Sequence, residues 1–290
     1  MKIDAHQHFW NYNPQRDAWI TDEMSLLKGD FLPEHLIGEF RANGVDGCIS
    51  VQADQSEHET EFLLNLASQY DSLIRGVVGW VDLSSPRLPE RLAHFAKFKK
   101  LRGLRHIVQS EPDDRFMLRP DFCRGIARLR DFCLTFDILI YPRQLPAAVE
   151  LLEKFPDQKF VLDHLAKPSI RTQEIEPWAQ QIRSLARNPN LFCKLSGLVT
   201  EANWKNWRAA DFYPYLDVAF DAFGGDRLMF GSDWPVCLLA ASYRQVRELV
   251  EQYVARFPVD SQAKIFGLNA VHFYGLPVEE PASQSYGPAS

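Results

Sequence analysis

Eight short apolar runs, each followed by a stretch long enough for a helix, set the main limit on how this chain can fold. They lie at 3–6, 45–51, 74–81, 101–107, 134–141, 160–163, 191–195 and 227–230. Between them apolar residues recur at helical spacing, as in Leu88, Leu92 and Phe95 or Phe122, Ile126 and Leu129, which places them on one face of a helix. A last helix is expected over 243–256. Eight strands alternating with helices predict an α/β chain, a (β/α)₈ TIM-like barrel in a single domain, with its site at the C-terminal ends of the strands. A doubly wound open sheet shares the alternation but needs a Gly-rich phosphate turn after its first strand. Here that place holds His6-Gln7-His8-Phe9-Trp10. At 290 residues and 46% apolar, the chain has the length and the core material for one barrel. The barrel is expected over 1–276, and the Pro/Ser/Gly-rich end, 277–290, as a flexible tail.

Charge and cysteine usage narrow the function classes. The net charge is −6 and the basic runs are short, as at Lys97-Phe98-Lys99-Lys100, so nucleic acid is not an expected partner. Five scattered cysteines without a Cys-x-x-Cys pair argue against a disulfide framework or a thiolate zinc site. No apolar run is long enough for a membrane span, and a first strand starting at residue 2 or 3 leaves no room for a signal peptide. A cytoplasmic protein that does not associate with membranes is expected, as a monomer or a small homo-oligomer.

The strand ends carry the chemistry. Successive side chains of a strand alternate faces, so His6 and His8 are expected to point the same way. Two imidazoles on one face need partners, which a metal ion, a moving proton or a substrate oxygen would provide. The other runs end at Gln52 and Asp54, Trp80 and Asp82, Arg105 and His106, Tyr141 and Arg143, Asp163 and His164, Lys194 and Ser196, and Ser232 and Asp233. Four of the eight histidines fall at these ends, and polar groups converging on one mouth mark an active site. Plainer readings exist for single members: His106 as a hydrogen-bonded structural residue, or Asp233 as the cap of a turn before Pro235.

The Asp4-x-His6-x-His8 start, the Gly103-Leu104-Arg105-His106 segment, the stretch from Leu162-Asp163-His164 to Pro168, and Phe230-Gly231-Ser232-Asp233-Trp234-Pro235 together resemble the amidohydrolase superfamily. More narrowly they resemble its sugar lactonase branch, the L-fuconolactonase and L-rhamnonolactonase-like proteins, with 2-pyrone-4,6-dicarboxylate hydrolase as a more distant relative. The resemblance runs from residue 2 to about residue 275. It implies hydrolysis of an L-fucono-, L-rhamnono- or related 1,4- or 1,5-aldonolactone to the aldonic acid. Metal-dependent members add a histidine at the end of strand 5, where this chain is expected to hold Tyr141. The branch includes members that work without a metal, so no cofactor is obligatory; one divalent ion such as zinc would be held by His6, His8 and Asp233.

Opening a lactone needs an attacking water, a place for charge on the carbonyl oxygen, and a proton for the departing alkoxide. The expected base is Asp233, with His6, His8 and His164 polarising the carbonyl. Arg105, His106 and Tyr141 are expected to bind the sugar, beside the flat faces of Trp10 and Trp80. Two other readings stay open: a pyrone or muconolactone-type hydrolase or decarboxylase, which would need several arginines at the site, and a non-catalytic barrel that binds a sugar.

Overall fold

The computed structural model describes residues 1–277. Eight parallel strands stand in the order of the sequence: β1 (Ile3–Gln7), β2 (Gly47–Val51), β3 (Ile74–Gly79), β4 (Leu101–His106), β5 (Thr135–Ile138), β6 (Phe160–Leu162), β7 (Leu191–Leu195) and β8 (Leu228–Phe230). Helices α1 (Pro33–Asn43), α2 (Glu57–Gln69), α3 (Leu88–Phe95), α4 (Pro120–Leu129), α5 (Leu145–Lys154), α6 (Trp178–Leu185), α7 (Tyr213–Phe223) and α8 (Tyr243–Val254) follow the strands one by one. This is the expected barrel. The ring closes between β1 and the turn after β8, where the His8 amide donates to the Trp234 carbonyl at 2.7 Å and the Asp233 amide to the His6 carbonyl at 2.8 Å. The closing seam therefore sets His6, His8 and Asp233 side by side.

Strand and helix faces share one outer core. On α5, Leu145, Ala148, Leu151 and Leu152 are buried against the sheet, and on α4 Phe122, Ile126 and Leu129. Each fully buried leucine, isoleucine or phenylalanine here contributes about 1.5–3 kcal/mol. A second cluster fills the barrel itself, with Ile3, Ala5, Ile49, Val51, Val78, Val161 and Met229 meeting Ala270, Val271 and Phe273. The last three belong to α10 (Asn269–Tyr274), which follows the short α9 (Val259–Ala263). The α9–α10 connection lies against the start of β1, where a Cβ on Gly267 would come within 2.2 Å of the Met1 carbonyl oxygen. This closing plug goes beyond the expected elements, which end with a helix over 243–256.

Two strand details differ from the sequence reading. The fifth run continues as buried apolar chain to Ile140, yet β5 ends at Ile138. The Leu139 carbonyl is taken by the Gln109 amide, the Tyr141 amide by the Gln144 side chain, and Pro142 has no amide to give. Tyr141 thus stands in a loop, and the polar side chain that β5 turns inward is Asp137. In β1, the three steps from Asp4 to Gln7 are matched by two steps on β2, Cys48 to Ser50. That extra residue breaks the alternation: Asp4 faces outward to the Tyr243 hydroxyl on α8, while His6 faces inward although it is two residues away. The expected tail at 277–290 lies outside the described residues apart from Pro277. Among the described residues no helix is long and apolar enough to cross a membrane.

Candidate active site

At the C-terminal mouth of the barrel opens a cleft of about 540 Å³. Its charged and polar wall is formed by His8, Arg105, His164, Lys167, Glu201 and Asp233, and its flat wall by Trp10, Trp19, Tyr141 and Trp204. Asp233 holds the centre. Its Oδ1 lies 3.3 Å from His8 Nε2, 3.8 Å from His6 Nε2 and 3.9 Å from His164 Nε2. Its backbone is left-handed at φ 58°, a conformation that aspartate tolerates better than most residues. Burial works against its charge, but the imidazoles of His164, His8 and His6 outweigh it and hold the carboxyl well below the usual range. Asp233 is therefore a carboxylate at neutral pH.

The histidines have distinct surroundings. The His8 Nδ1–H donates to the Val51 carbonyl at 2.7 Å, which turns Nε2 toward Asp233 and His6. His6 is fully buried and lies behind the cleft wall, its Nε2 3.2 Å from His8 Nε2 and 3.3 Å from Arg105 Nη1. On its other side Nδ1 meets the Lys194 ammonium at 3.2 Å and the Asp163 carboxylate at 3.3 Å. His6 thus has partners for either neutral tautomer: Nε2–H toward His8 with Nδ1 accepting from Lys194, or Nδ1–H toward Asp163. Burial first of all keeps it neutral, and it pushes His164 down to about 4 as well. His164 shares a 2.8 Å hydrogen bond with the Ser196 hydroxyl.

Beneath these groups runs a buried ionic column. Lys194, wholly enclosed, donates to Asp137 at 2.5 Å and lies 3.0 Å from Asp163. Arg105 reaches Asp163 at 3.1 Å and the Gln52 carbonyl. The Tyr274 hydroxyl, from the α10 plug, donates to Asp137 at 2.9 Å. Two cations and two carboxylates in one barrel interior are costly to desolvate and hold only as a complete set. Lys194 and Asp163 were read from sequence only as strand-end residues, and Asp137 and Tyr274 not as site residues at all. Periodicity marks a strand as buried but does not say which polar side chains meet across it.

His164 reaches the cleft by a strained route. His164, Leu165, Ala166 and Lys167 all have left-handed backbones, with φ between 51° and 57°, at a cost of about 1–2 kcal/mol each. Buried Leu165 and Ala166 and a 2.7 Å bond from the Trp178 indole to the Leu165 carbonyl hold the turn. The turn carries His164 and Lys167 to the same wall. Gly197, itself at φ 62°, packs under the His164 ring, where a Cβ would come within 2.6 Å of Nδ1. Gly197→Ala is expected to cost about 1–3 kcal/mol in a urea titration and to lower turnover by displacing His164. Unchanged stability and activity would show that the ring has room to move.

Two expected sugar-binding residues are not brought to the cleft. Alternation along β4 turns Arg105 inward and His106 outward. There His106 accepts from the Trp80 indole at 3.4 Å, bonds Glu111 at 2.7 Å and stacks on Phe116. Trp80 and His106 thus form a supporting group outside the cleft, while Trp10, Arg105 and Tyr141 do line it. Lys167 and Glu201, absent from the sequence-based set, line it too. No pattern of spacing marks them, because a left-handed turn and the loop after β7 bring them in.

A divalent ion was left open on sequence, and the donor set fits one. Ligand atoms of His6, His8 and Asp233 all lie within 4.8 Å of one another, and two imidazoles with a carboxylate are a zinc-type set. The Arg105 guanidinium, 3.3 Å from His6 Nε2, adds positive charge where a dication would sit and opposes tight binding.

Comparison with known proteins agrees with this geometry. The amidohydrolase family model matches residues 3–276. The L-fucono-1,5-lactonase of Burkholderia multivorans is 43% identical, over 97% of this chain and 98% of that protein. A second L-fucono-1,5-lactonase, from Burkholderia ambifaria, is 37% identical over 95% and 96%. The crystal structure of an amidohydrolase from Burkholderia multivorans with bound zinc superposes with a TM-score of 0.91 at 42% identity, covering 96% of this chain and all of that one. The chain belongs to the amidohydrolase family.

Proposed function

We propose that this protein is a lactonase that opens a sugar aldonolactone to the aldonic acid, and that Asp233 activates the water. The observation that carries the reading is a buried, ionised Asp233 on the wall of a cleft with polar donors on one side and aromatic faces on the other. The match to two L-fucono-1,5-lactonases supports it, and an L-fucono-type 1,5-lactone is the substrate we favour.

In this reading Asp233 takes a proton from water as its oxygen bonds to the carbonyl carbon. Negative charge grows on the carbonyl oxygen, with the Arg105 guanidinium and His164 at hand to stabilise it. The bond from that carbon to the ring oxygen then breaks, and the proton held by Asp233 passes to the departing alkoxide, leaving an acid and a hydroxyl. His8, fixed by Val51, keeps Asp233 oriented, and His6 supports both from behind. A divalent ion held by His6, His8 and Asp233 would polarise the carbonyl and acidify water when bound.

Among the described residues Arg105 is the one arginine in the cleft wall. Arg143 is paired with Asp114 outside it. A pyrone dicarboxylate or aromatic acid would need more cationic charge, so a neutral polyol ring fits better.

The test is acid release in weak buffer from a panel of aldonolactones, with and without a chelator. Turnover of L-fucono-1,5-lactone is expected, and its persistence under chelation would show that the protein residues suffice. Loss on chelation with recovery on added zinc would make His6, His8 and Asp233 ligands first. Silence on every sugar lactone, with or without zinc, would overturn the proposal.

A further inference from the structure

We infer that Lys167 and Glu201 form a donor–acceptor pair that reads the ring hydroxyls of the substrate, and so set a preference for a polyhydroxylated lactone over a plain one. The inference rests on the lactonase reading and concerns residues to which that chemistry assigns no role. Both side chains line the cleft with Asp233 and His164. Their closest approach, Lys167 Nζ to Glu201 Oε1, is 3.7 Å, near enough for attraction and too long for a hydrogen bond. Neither head group has another hydrogen-bond partner among the described residues, and Lys167 otherwise stands only over the Tyr141 ring at 5.4 Å.

The other charges at the mouth are committed. Arg105 is engaged by Asp163 and Gln52, and Asp233 by three imidazoles. Among the described residues at the mouth, Lys167 and Glu201 alone offer ammonium donors beside carboxylate acceptors that no hydrogen bond takes up. A vicinal diol has the matching pattern, each hydroxyl giving one hydrogen and accepting another.

Two further features suit such a role. The four-residue left-handed turn that presents Lys167 stores strain beside a functional site, as binding segments do. Trp204, whose indole bonds the Thr200 carbonyl at 2.8 Å, sets a flat apolar face next to the pair, the usual companion of a sugar ring. Glu201 is partly buried, and that burial together with the nearby Asp233 charge raises its carboxyl, while Lys167 counters the rise. A surface ion pair would contribute little; a pair in a cleft wall gains most when a ligand completes it.

The test compares kcat/KM for L-fucono-1,5-lactone with that for δ-valerolactone, the unsubstituted six-membered ring, in the wild type, Lys167→Met and Glu201→Gln. The ratio of the two is expected to fall about 10- to 100-fold in each variant, as loss of a charged hydrogen bond predicts, with Lys167→Arg retaining most of it. In parallel, tryptophan fluorescence is titrated with L-fucose, which carries the hydroxyls without the ester, and both variants are expected to bind it more weakly. Equal losses on the two lactones, or L-fucose affinity unchanged in both variants, would overturn the pair. If the wild type opens neither lactone, the lactonase reading falls, and the L-fucose titration still decides the hydroxyl contact.

Discussion

Asp233→Asn is expected to abolish most lactone turnover, by about 10²–10⁴-fold in kcat, while the protein folds normally. Asparagine is nearly isosteric and tolerates the left-handed backbone at φ 58°, so the turn after β8 should survive. What disappears is the negative charge that draws a proton from water and that His8, His6 and His164 surround. The loss should lie in kcat rather than KM, because a base acts on the transition state and contributes little to holding the ring. Steady-state kinetics with circular dichroism as a fold check measure both. Near-normal turnover would remove Asp233 as the base. If activity falls and bound zinc falls with it by elemental analysis, ligation rather than base catalysis would account for the effect.

The second large effect is one of stability. Lys194→Met should cost about 3–5 kcal/mol in urea unfolding, because Asp137 and Asp163 would face each other in the barrel with their shared cation gone. A methionine of similar length leaves little cavity, so the loss is electrostatic. The pH dependence follows from the sign of the shift. Burial raises Asp137 to about 6 from an ordinary 3.8 even with Lys194 in place. Between those values the native state binds the extra proton, so stability falls as pH rises through that window. Without Lys194 the fall should be steeper, and the deficit should shrink as the pH is lowered toward 5. A deficit that does not change with pH would point to packing instead. The double variant Lys194→Met with Asp137→Asn should recover part of the stability, since it removes one of the stranded charges.

Much of the fold was legible because barrel strands are buried on both faces and so read as apolar runs. All eight lie where the runs predict them, with ends displaced by a few residues. The displaced end of β5 mattered most: Leu139, Ile140 and Tyr141 continue the apolar run, and only the hydrogen bonds taken by Gln109 and Gln144 show that the strand has stopped. The plug helix α10 was not foreseen, since six residues carry too little periodicity to stand out.

Sequence by itself determined the class of the protein: an eightfold strand–helix alternation, a His-x-His start and an Asp233 turn after the eighth run, together with the family these imply. Each is a local pattern, and local patterns survive in one dimension. The tertiary structure alone decided which polar groups meet. An extra residue in β1 turned His6 inward beside Lys194 and turned Asp4 outward to Tyr243. Alternation along β4 sent Arg105 to the cleft and His106 away from it. A left-handed turn brought Lys167 to Glu201, 34 positions along the chain. The physical reason is common to all three: the direction of a side chain depends on backbone register and on contacts with distant strands, and neither is written in the residues that carry the chemistry.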